Sequence, residues 1–396
     1  MLLHLFKGIK KILVLTILFI LLSFSSNIKG INIGIIELYP ARIIVFSWLV
    51  YALCAGKIRA LRRLVRPMLV FILFGCILSV INFNSQCIAS VLVYITSFAT
   101  MLMFASITNS KEDLYCLSVS ILFNLIIQAL LGIKESLTGE YIFNVYEHYA
   151  WHYNSFGLHM PATAFFNTNN YAVYCILSLP FIALCKSRFL ILNVLSYLGY
   201  LLGIIAILLT GSRTGLLCVI VYVILYFYYN VYKTNNSKVL KIFIVLSVFV
   251  LLIIFLVNII QFFELIFPNG SVSDEDRLPI WGNYIIICFK NLLVYGVPGC
   301  SSELLMRLVG SNIPPHCMFL EILVEYGLIG LICILTIIEK LIPNKVSSMS
   351  IFHINMSKIF LYIFLIASIC PSSMSGSYYL WAMFGIFYSI NNKQLI

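Results

Sequence analysis

The sequence predicts an all-α, polytopic transmembrane fold of about twelve spans, and three observations predict it. Of the 396 residues, 62% are hydrophobic and only 10% are charged, against roughly a quarter charged in a soluble domain. No water-soluble core absorbs that much apolar surface, so lipid has to be the solvent for most of the chain. The apolar residues also run in stretches of about twenty, the length a helix needs to cross a hydrocarbon layer. Basic residues punctuate the breaks between them.

Taken in order, Lys7, Lys10 and Lys11 precede the apolar run Ile12–Leu22. That pattern imitates a secretory signal, but no small-residue cleavage site with a soluble domain follows it. It therefore reads as a retained first span near 10–27. The remaining spans fall near 35–55, 67–85, 88–107, 114–133, 169–185, 189–209, 215–232, 240–262, 318–337, 355–370 and 376–390. Residues 1–396 are expected to form one integral membrane domain.

Orientation follows from the basic residues, which are retained on the cytoplasmic side. With the N-terminus inside, 18 of the 25 Lys and Arg residues fall in cytoplasmic segments, Lys57, Arg59, Arg62, Arg63 and Arg66 being the densest cluster. Both termini are then cytoplasmic and the number of spans is even. Glu135, Glu140, Glu147, Glu264, Asp274, Glu275, Asp276 and Glu303 all fall outside. Two outer segments are long, 134–168 and 263–317, the second lying between the ninth and tenth spans. Long loops carry function more often than short ones. Within the second, Ile280–Leu293 is apolar with Trp281, Tyr284 and Lys290, the pattern of an interfacial helix.

The net charge of +11 is the same retention bias and not a nucleic-acid footprint. The 12 cysteines form no CxxC and fall mostly inside apolar runs. There Cys acts as a small hydrophobe, and neither a disulfide framework nor a metal site is indicated.

Three outer residues stand out. Arg213 lies in Thr210-Gly211-Ser212-Arg213-Thr214-Gly215, at the start of the eighth span. An arginine at a membrane surface often only snorkels to headgroups. Here it sits on the side that basic residues avoid, at a helix start that already carries partial positive charge. A second positive charge there is costly unless an anion is bound, and a helix N-terminus with an arginine suits phosphate oxygens. Arg277, in Asp276-Arg277-Leu278-Pro279-Ile280-Trp281, has only its place in the long loop to recommend it. His316 follows Pro314-Pro315 and opens the tenth span. A histidine at a helix end is often merely solvated, but the positive helix terminus favours the neutral imidazole that a base requires. Glu321 and Glu325 follow at an i, i+4 spacing inside that span, where carboxylates are costly and usually functional.

Other patterns carry less. Asp274-Glu275-Asp276 spells a DxD metal motif but reads as a solvated acidic turn beside Asn269-Gly270-Ser271. His148 and His152 lack the glutamate of HExxH, since Tyr149 stands in its place. Tyr146, Tyr149, Trp151, His152 and Tyr153 form either an interfacial aromatic belt or a stacking surface for sugar rings. No P-loop, GxSxG or GxGxxG is present, and no metal or cofactor is expected.

These residues, in this order, resemble the O-antigen polymerase and ligase family (Wzy and WaaL types) of bacterial surface-polysaccharide assembly. Phe165-Phe166-Asn167-Thr168-Asn169-Asn170-Tyr171-Ala172 is similar to the family's F-x-N-P-N-x-x-A entry to a span, with Thr168 in place of proline. Leu209 to Leu217 is similar to its SRTG segment and fits R-x3-L. His316 to Gly327 fits H-x10-G, with Cys317 where asparagine is usual. Arg277 to Gly299, with Trp281 and Gly296, resembles the family's loop helix. The similarity covers roughly residues 130 to 335.

The resemblance implies a GT-C-like membrane enzyme in the bacterial cytoplasmic membrane, with its active site on the extracytoplasmic face. It implies metal-independent, inverting glycosyl transfer from a glycan on undecaprenyl pyrophosphate. Arg213 and Arg277 would bind the pyrophosphate and His316 would act as base. Asn169, Glu321 and Trp281 are candidate substrate contacts. Membrane lipid and a chain-length regulator are the partners implied. A repeat-unit polymerase is the first reading. The second is a ligase moving the glycan to lipid A core or another acceptor. A lipid-linked glycan flippase is the third, and it calls for more charged residues within spans than this sequence holds.

Overall fold

The computed structural model describes residues 2–24, 31–33, 36–143, 153–154, 156–165, 167–185, 189–232, 277–291, 293, 295–300, 303, 315–343, 350–369 and 376–392. The helices are α1 (Leu2–Ser23), α2 (Pro40–Cys54), α3 (Arg62–Asn82), α4 (Ser85–Ile107), α5 (Lys111–Thr138), α6 (Thr168–Ala183), α7 (Leu190–Leu209), α8 (Arg213–Phe227), α9 (Arg277–Lys290), α10 (Met318–Glu339), α11 (Ile351–Ala367) and α12 (Tyr378–Asn392). Among the described residues, six helical stretches are long and apolar enough to cross a membrane: 57–82, 85–107, 111–138, 190–209, 213–230 and 318–339. The apolar helices Pro40–Cys54 and Ile351–Ala367 are shorter. The span expected near 240–262 lies outside the described residues.

One element departs from the all-α expectation. A hairpin of β1 (Ile31–Ile33) and β2 (Ile36–Leu38) pairs antiparallel, with Ile31 opposite Leu38. The span expected from residue 35 therefore starts as helix only at Pro40. The reason is local: β-branched isoleucines favour the pleat, and proline favours the first helical position while disfavouring helix before it.

The chain forms two compact units, with α5 beginning in one and ending in the other. The first comprises residues 1–120, 275–349 and 368–396. Its core is aromatic. Phe71, Tyr94, Phe98, Tyr326 and Trp381 pack ring against ring, with Phe71 and Tyr326 centroids 4.4 Å apart. Gly385 lets α12 lie directly on α4, since a Cβ there would meet the carbonyl oxygen of Met101 at 2.2 Å. Ser389 Oγ donates to the Ala105 carbonyl beside it. Asp113 caps the start of α5 by accepting from the Asn109 and Ser110 amides, and it pairs with Lys11.

A strap of chain in this unit meets a break in α10. Gly327 has φ 62° and ψ −169°, outside the helical region, so α10 is interrupted near its middle. The Leu328 amide donates instead to the carbonyl of Leu293 at 2.6 Å. A broken helix is tolerated at membrane depth only where protein satisfies the freed groups. Gly296 sits against the α10 backbone, where a Cβ would come within 2.2 Å of the Glu325 carbonyl oxygen. Asn82 Nδ2 donates to the Gly296 carbonyl, and Tyr295 Oη donates to Asn82 Oδ1.

The second unit comprises residues 121–274 and 350–367. α6 is its central helix, buried at every residue from Tyr171 to Ala183. A helix apolar all round has to be covered on every side, and α7, α8 and α11 cover this one. Gly199 and Gly203 bring α7 close to Leu122 and Leu125 of α5, and Gly215 brings α8 onto Ala172 of α6.

Candidate functional site

In the second unit, the motif residues start helices. Asn167 is the N-cap of α6, its side chain accepting from the Asn169 amide at 2.7 Å. The cap satisfies one of the amides that a helix start leaves open. Asn169 is thus placed in the first turn of α6, half-buried. The Thr-Gly-Ser-Arg segment is a tight turn between α7 and α8. Gly211 takes φ 65°, which favours glycine. Ser212 caps α8 by accepting from the Gly215 amide at 3.2 Å. Arg213 is then the first residue of α8 and half-buried. The contact of Gly215 with Ala172 Cβ, 3.1 Å from the position of an added Cβ, packs the N-terminal half of α8 against that of α6.

Beside these helix starts, Glu135 organises the chain after α5. It is 0% exposed. Its carboxylate accepts from the amides of Ile142 at 3.3 Å, Ala162 at 3.1 Å and Thr163 at 2.8 Å. Ser136 exchanges two bonds with His159, and Tyr141 Oη donates to the Met160 carbonyl. Burial and the neighbouring Glu135 charge push the Tyr141 phenol up to about 12, so it stays a donor. Asn154 ties the same loop to α7, donating from Nδ2 to the Leu209 carbonyl at 3.1 Å. Helix α5 has 28 residues, about 42 Å at the α-helical rise and longer than the hydrocarbon layer. Its last turn, carrying Glu135, therefore reaches the level of the loop.

This arrangement makes Glu135 a staple for the loop. Each buried amide left without an acceptor costs about 1–3 kcal/mol. Glu135→Ala is expected to lower the unfolding midpoint in detergent and to open residues 139–165 to limited proteolysis. Glu135→Gln keeps one oxygen for the Ala162 and Thr163 amides and loses only the longer bond to Ile142, so its loss should be about a third of that for Ala. Equal tolerance of both variants would show that the carboxylate does not hold the loop.

In the first unit, Arg277 is the first residue of α9; its side chain lies outside the described residues. α9 packs on α10 through Tyr284, Ile287 and Cys288 against Val324. Trp281 is half-buried, and its indole Nε1 donates to the Pro315 carbonyl at 2.7 Å. That bond fixes the peptide immediately before His316. His316 itself has φ 48°, the left-handed region, which few non-glycine residues occupy without a structural reason. Cys317 is the extended N-cap of α10 and offers no side-chain cap. The Met318 amide is satisfied by the Ser368 carbonyl at 2.9 Å.

Glu321 is half-buried in the first turn of α10. Glu325, one turn on, is 6% exposed and accepts from the Gly299 amide at 2.9 Å. Burial first, then the charges of Glu321 and Glu325, push the Tyr284 phenol up. The structure thus joins Trp281 to the turn of His316, and Tyr284 to the field of Glu321. Sequence reading missed two participants: Glu135 as the loop staple, and the strap at Gly296 and Gly299. For Glu135 the signal was a carboxylate just past the predicted end of the fifth span, at the start of a long loop. For the strap it was the glycine spacing itself.

The tyrosine and tryptophan residues at 146, 149 and 151, His148 and His152, and the acidic turn at 274–276 lie outside the described residues. Arg42, another arginine on the side expected to be outer, packs 4.5 Å over the Tyr39 ring and donates to Tyr378 Oη. It serves packing.

Residues 198–335 match the family model of the O-antigen ligase. That stretch contains Arg213, Arg277, Trp281, His316 and Glu321, while Asn169 precedes it. None of the curated proteins matches the chain.

Proposed function

We propose, on the O-antigen polymerase and ligase assignment that the match over residues 198–335 supports, that this multi-pass membrane protein is a polysaccharide repeat-unit polymerase. The donor is a glycan on undecaprenyl pyrophosphate, and the acceptor is the non-reducing end of another lipid-linked repeat at the outer leaflet. The observation that carries the reading is the placement of Arg213. The one charged residue of its motif is the first residue of a capped helix within the matched segment, where arginine and helix dipole together favour phosphate oxygens.

The acceptor hydroxyl gives its proton to the His316 imidazole as its oxygen attacks the anomeric carbon. The carbon–oxygen bond to pyrophosphate breaks on the opposite face, inverting that centre. Arg213 and Arg277 take up the charge that develops on the departing pyrophosphate. Pyrophosphate is already a good leaving group, so no general acid is required. Trp281 holds the peptide that aims the imidazole, and Asn169 and Glu321 contact the glycan. The enzyme sits in the bacterial cytoplasmic membrane with both termini inside, and a chain-length regulator is its protein partner.

The test is glycan transfer by purified protein given undecaprenyl-pyrophosphate-linked repeats and a chelator. A ladder of lengthened lipid-linked glycans is expected, undiminished by EDTA. Transfer only when lipid A core is supplied would make it a ligase. Loss in EDTA with rescue by a divalent ion would return attention to Asp274 and Asp276. Donor crossing between leaflets without transfer would favour a flippase.

A further inference from the structure

The strap at 295–300 meets the first turn of α4 through a pair of cysteines. Cys87, in that turn, is 0% exposed, and Cys300, in the strap, is 2% exposed. Both carry free thiols in the structure, and the two side chains are neighbours. The surroundings hold Cys300 from two sides: Asn84 Nδ2 donates to its sulfur at 3.3 Å, and the thiol donates to Gln86 Oε1 at 3.4 Å. The residue before it is fixed as well. Gly299 takes φ 72°, its amide donates to Glu325, and a Cβ there would stand 3.0 Å from Ser90 Cβ and 3.1 Å from the Gln86 carbonyl oxygen. Both sulfurs are thus carried by backbone with little freedom to separate. Residues 84–87 and 299–300 fall on the side that the basic residues assign to the extracytoplasmic face, an oxidising compartment.

We propose that Cys87 and Cys300 are joined as a disulfide in the protein in its native membrane. The assignment rests on the orientation given above. The oxidant is a disulfide-bearing exchange partner of that compartment. One cysteine thiolate attacks the oxidant's disulfide, forming a mixed disulfide and releasing one oxidant thiol. The second cysteine displaces the other oxidant sulfur, which leaves as the second thiol. Two cysteines are oxidised, one oxidant disulfide is reduced, and the two protons pass to the oxidant's sulfurs. Burial, with the nearby Cys87 and Glu303 charges, pushes the Cys300 thiol up to about 12, so the exchange belongs to folding, before the strap closes. The bond ties the strap to α4 and so holds Gly299 on Glu325 beside the break in α10. Here two cysteines form a disulfide that their spacing in the sequence did not indicate.

The test uses the full chain in membranes, with free thiols blocked by N-ethylmaleimide during denaturing lysis, followed by mass spectrometry. Of the 12 cysteines, two should resist blocking until reductant is added, and digestion without reductant should yield a Cys87–Cys300 linked peptide. In Cys87→Ser, and separately in Cys300→Ser, every remaining cysteine should be blocked without reductant. Twelve free thiols in the unaltered protein overturn the proposal, as does a linked peptide joining either residue to another cysteine. The unaltered protein decides the matter even if a variant fails to accumulate. A topology reporter fused after Asn84 reads the orientation separately, and no readout depends on turnover.

Discussion

Replacing His316 by alanine is expected to cost roughly a hundredfold or more in turnover at saturating donor. Protein level and donor binding should stay near normal. A general base that takes the acceptor proton acts on the chemical step, so the loss should appear in kcat and not in KM. The backbone at this position complicates the simple reading, because His316 occupies the left-handed region at φ 48°. A turn distorted by substitution could also lower activity. His316→Asn separates the two effects, since asparagine tolerates that conformation better than alanine does but supplies no base at neutral pH. If the imidazole is the base, Asn should be as inactive as Ala. If the backbone is what matters, Asn should recover most of the turnover. Trp281→Phe keeps the ring and removes the donor to the Pro315 carbonyl. It should give a smaller loss, also in kcat, because it misplaces the base without removing it. Near-normal turnover in His316→Ala would remove histidine from the mechanism.

Arg213→Lys is expected to fail almost as badly as Arg213→Ala, each losing on the order of 100- to 1000-fold in turnover as a leaving-group stabiliser is withdrawn. Lysine keeps the positive charge but loses the planar fork that binds two phosphate oxygens at once. The helix start does not depend on the substituted side chain. Ser212 supplies the cap and Gly211 the turn, so both variants should fold and reach the membrane at normal level. An arginine that only snorkels to headgroups would accept lysine with little change. The comparison of Lys with Ala, run beside His316→Ala in one turnover assay, therefore distinguishes a pyrophosphate contact from a lipid anchor. Arg277→Ala should weaken donor binding more than the chemical step, showing as a raised KM.

The helix starts at Asn167 and Ser212 were legible because capping is local. An asparagine or serine placed just before an apolar run declares its role within three residues of chain. The apolar runs were legible for the same kind of reason. Ten of the twelve ranges expected as spans from hydropathy overlap helices from α2 to α12, and α1 overlaps the first. The hairpin before Pro40 was not read, because stretches as short as Ile31–Ile33 and Ile36–Leu38 fit a helix end and a strand equally well. The spacing from His316 to Gly327 was visible, but its physical cause was not. Only the strap, with Leu293 accepting from Leu328 and Gly296 against Glu325, explains why a glycine interrupts that helix.

Lipid as solvent leaves a chain of this composition few options, since each backbone amide and carbonyl in a bilayer has to find a partner within its own helix. That requirement is satisfied locally, so the pattern of apolar runs and basic breaks was enough to make the protein helical and membrane-embedded. It likewise placed Arg213 and His316 at helix starts. The contacts between residues far apart in the chain came from the fold alone. Glu135 gathers three amides from up to 28 residues away, Trp281 steadies the turn of His316 from 34 residues away, and Cys87 meets Cys300. A buried carboxylate or thiol is stabilised by whichever partner the fold delivers, and no local pattern of residues records which one that is.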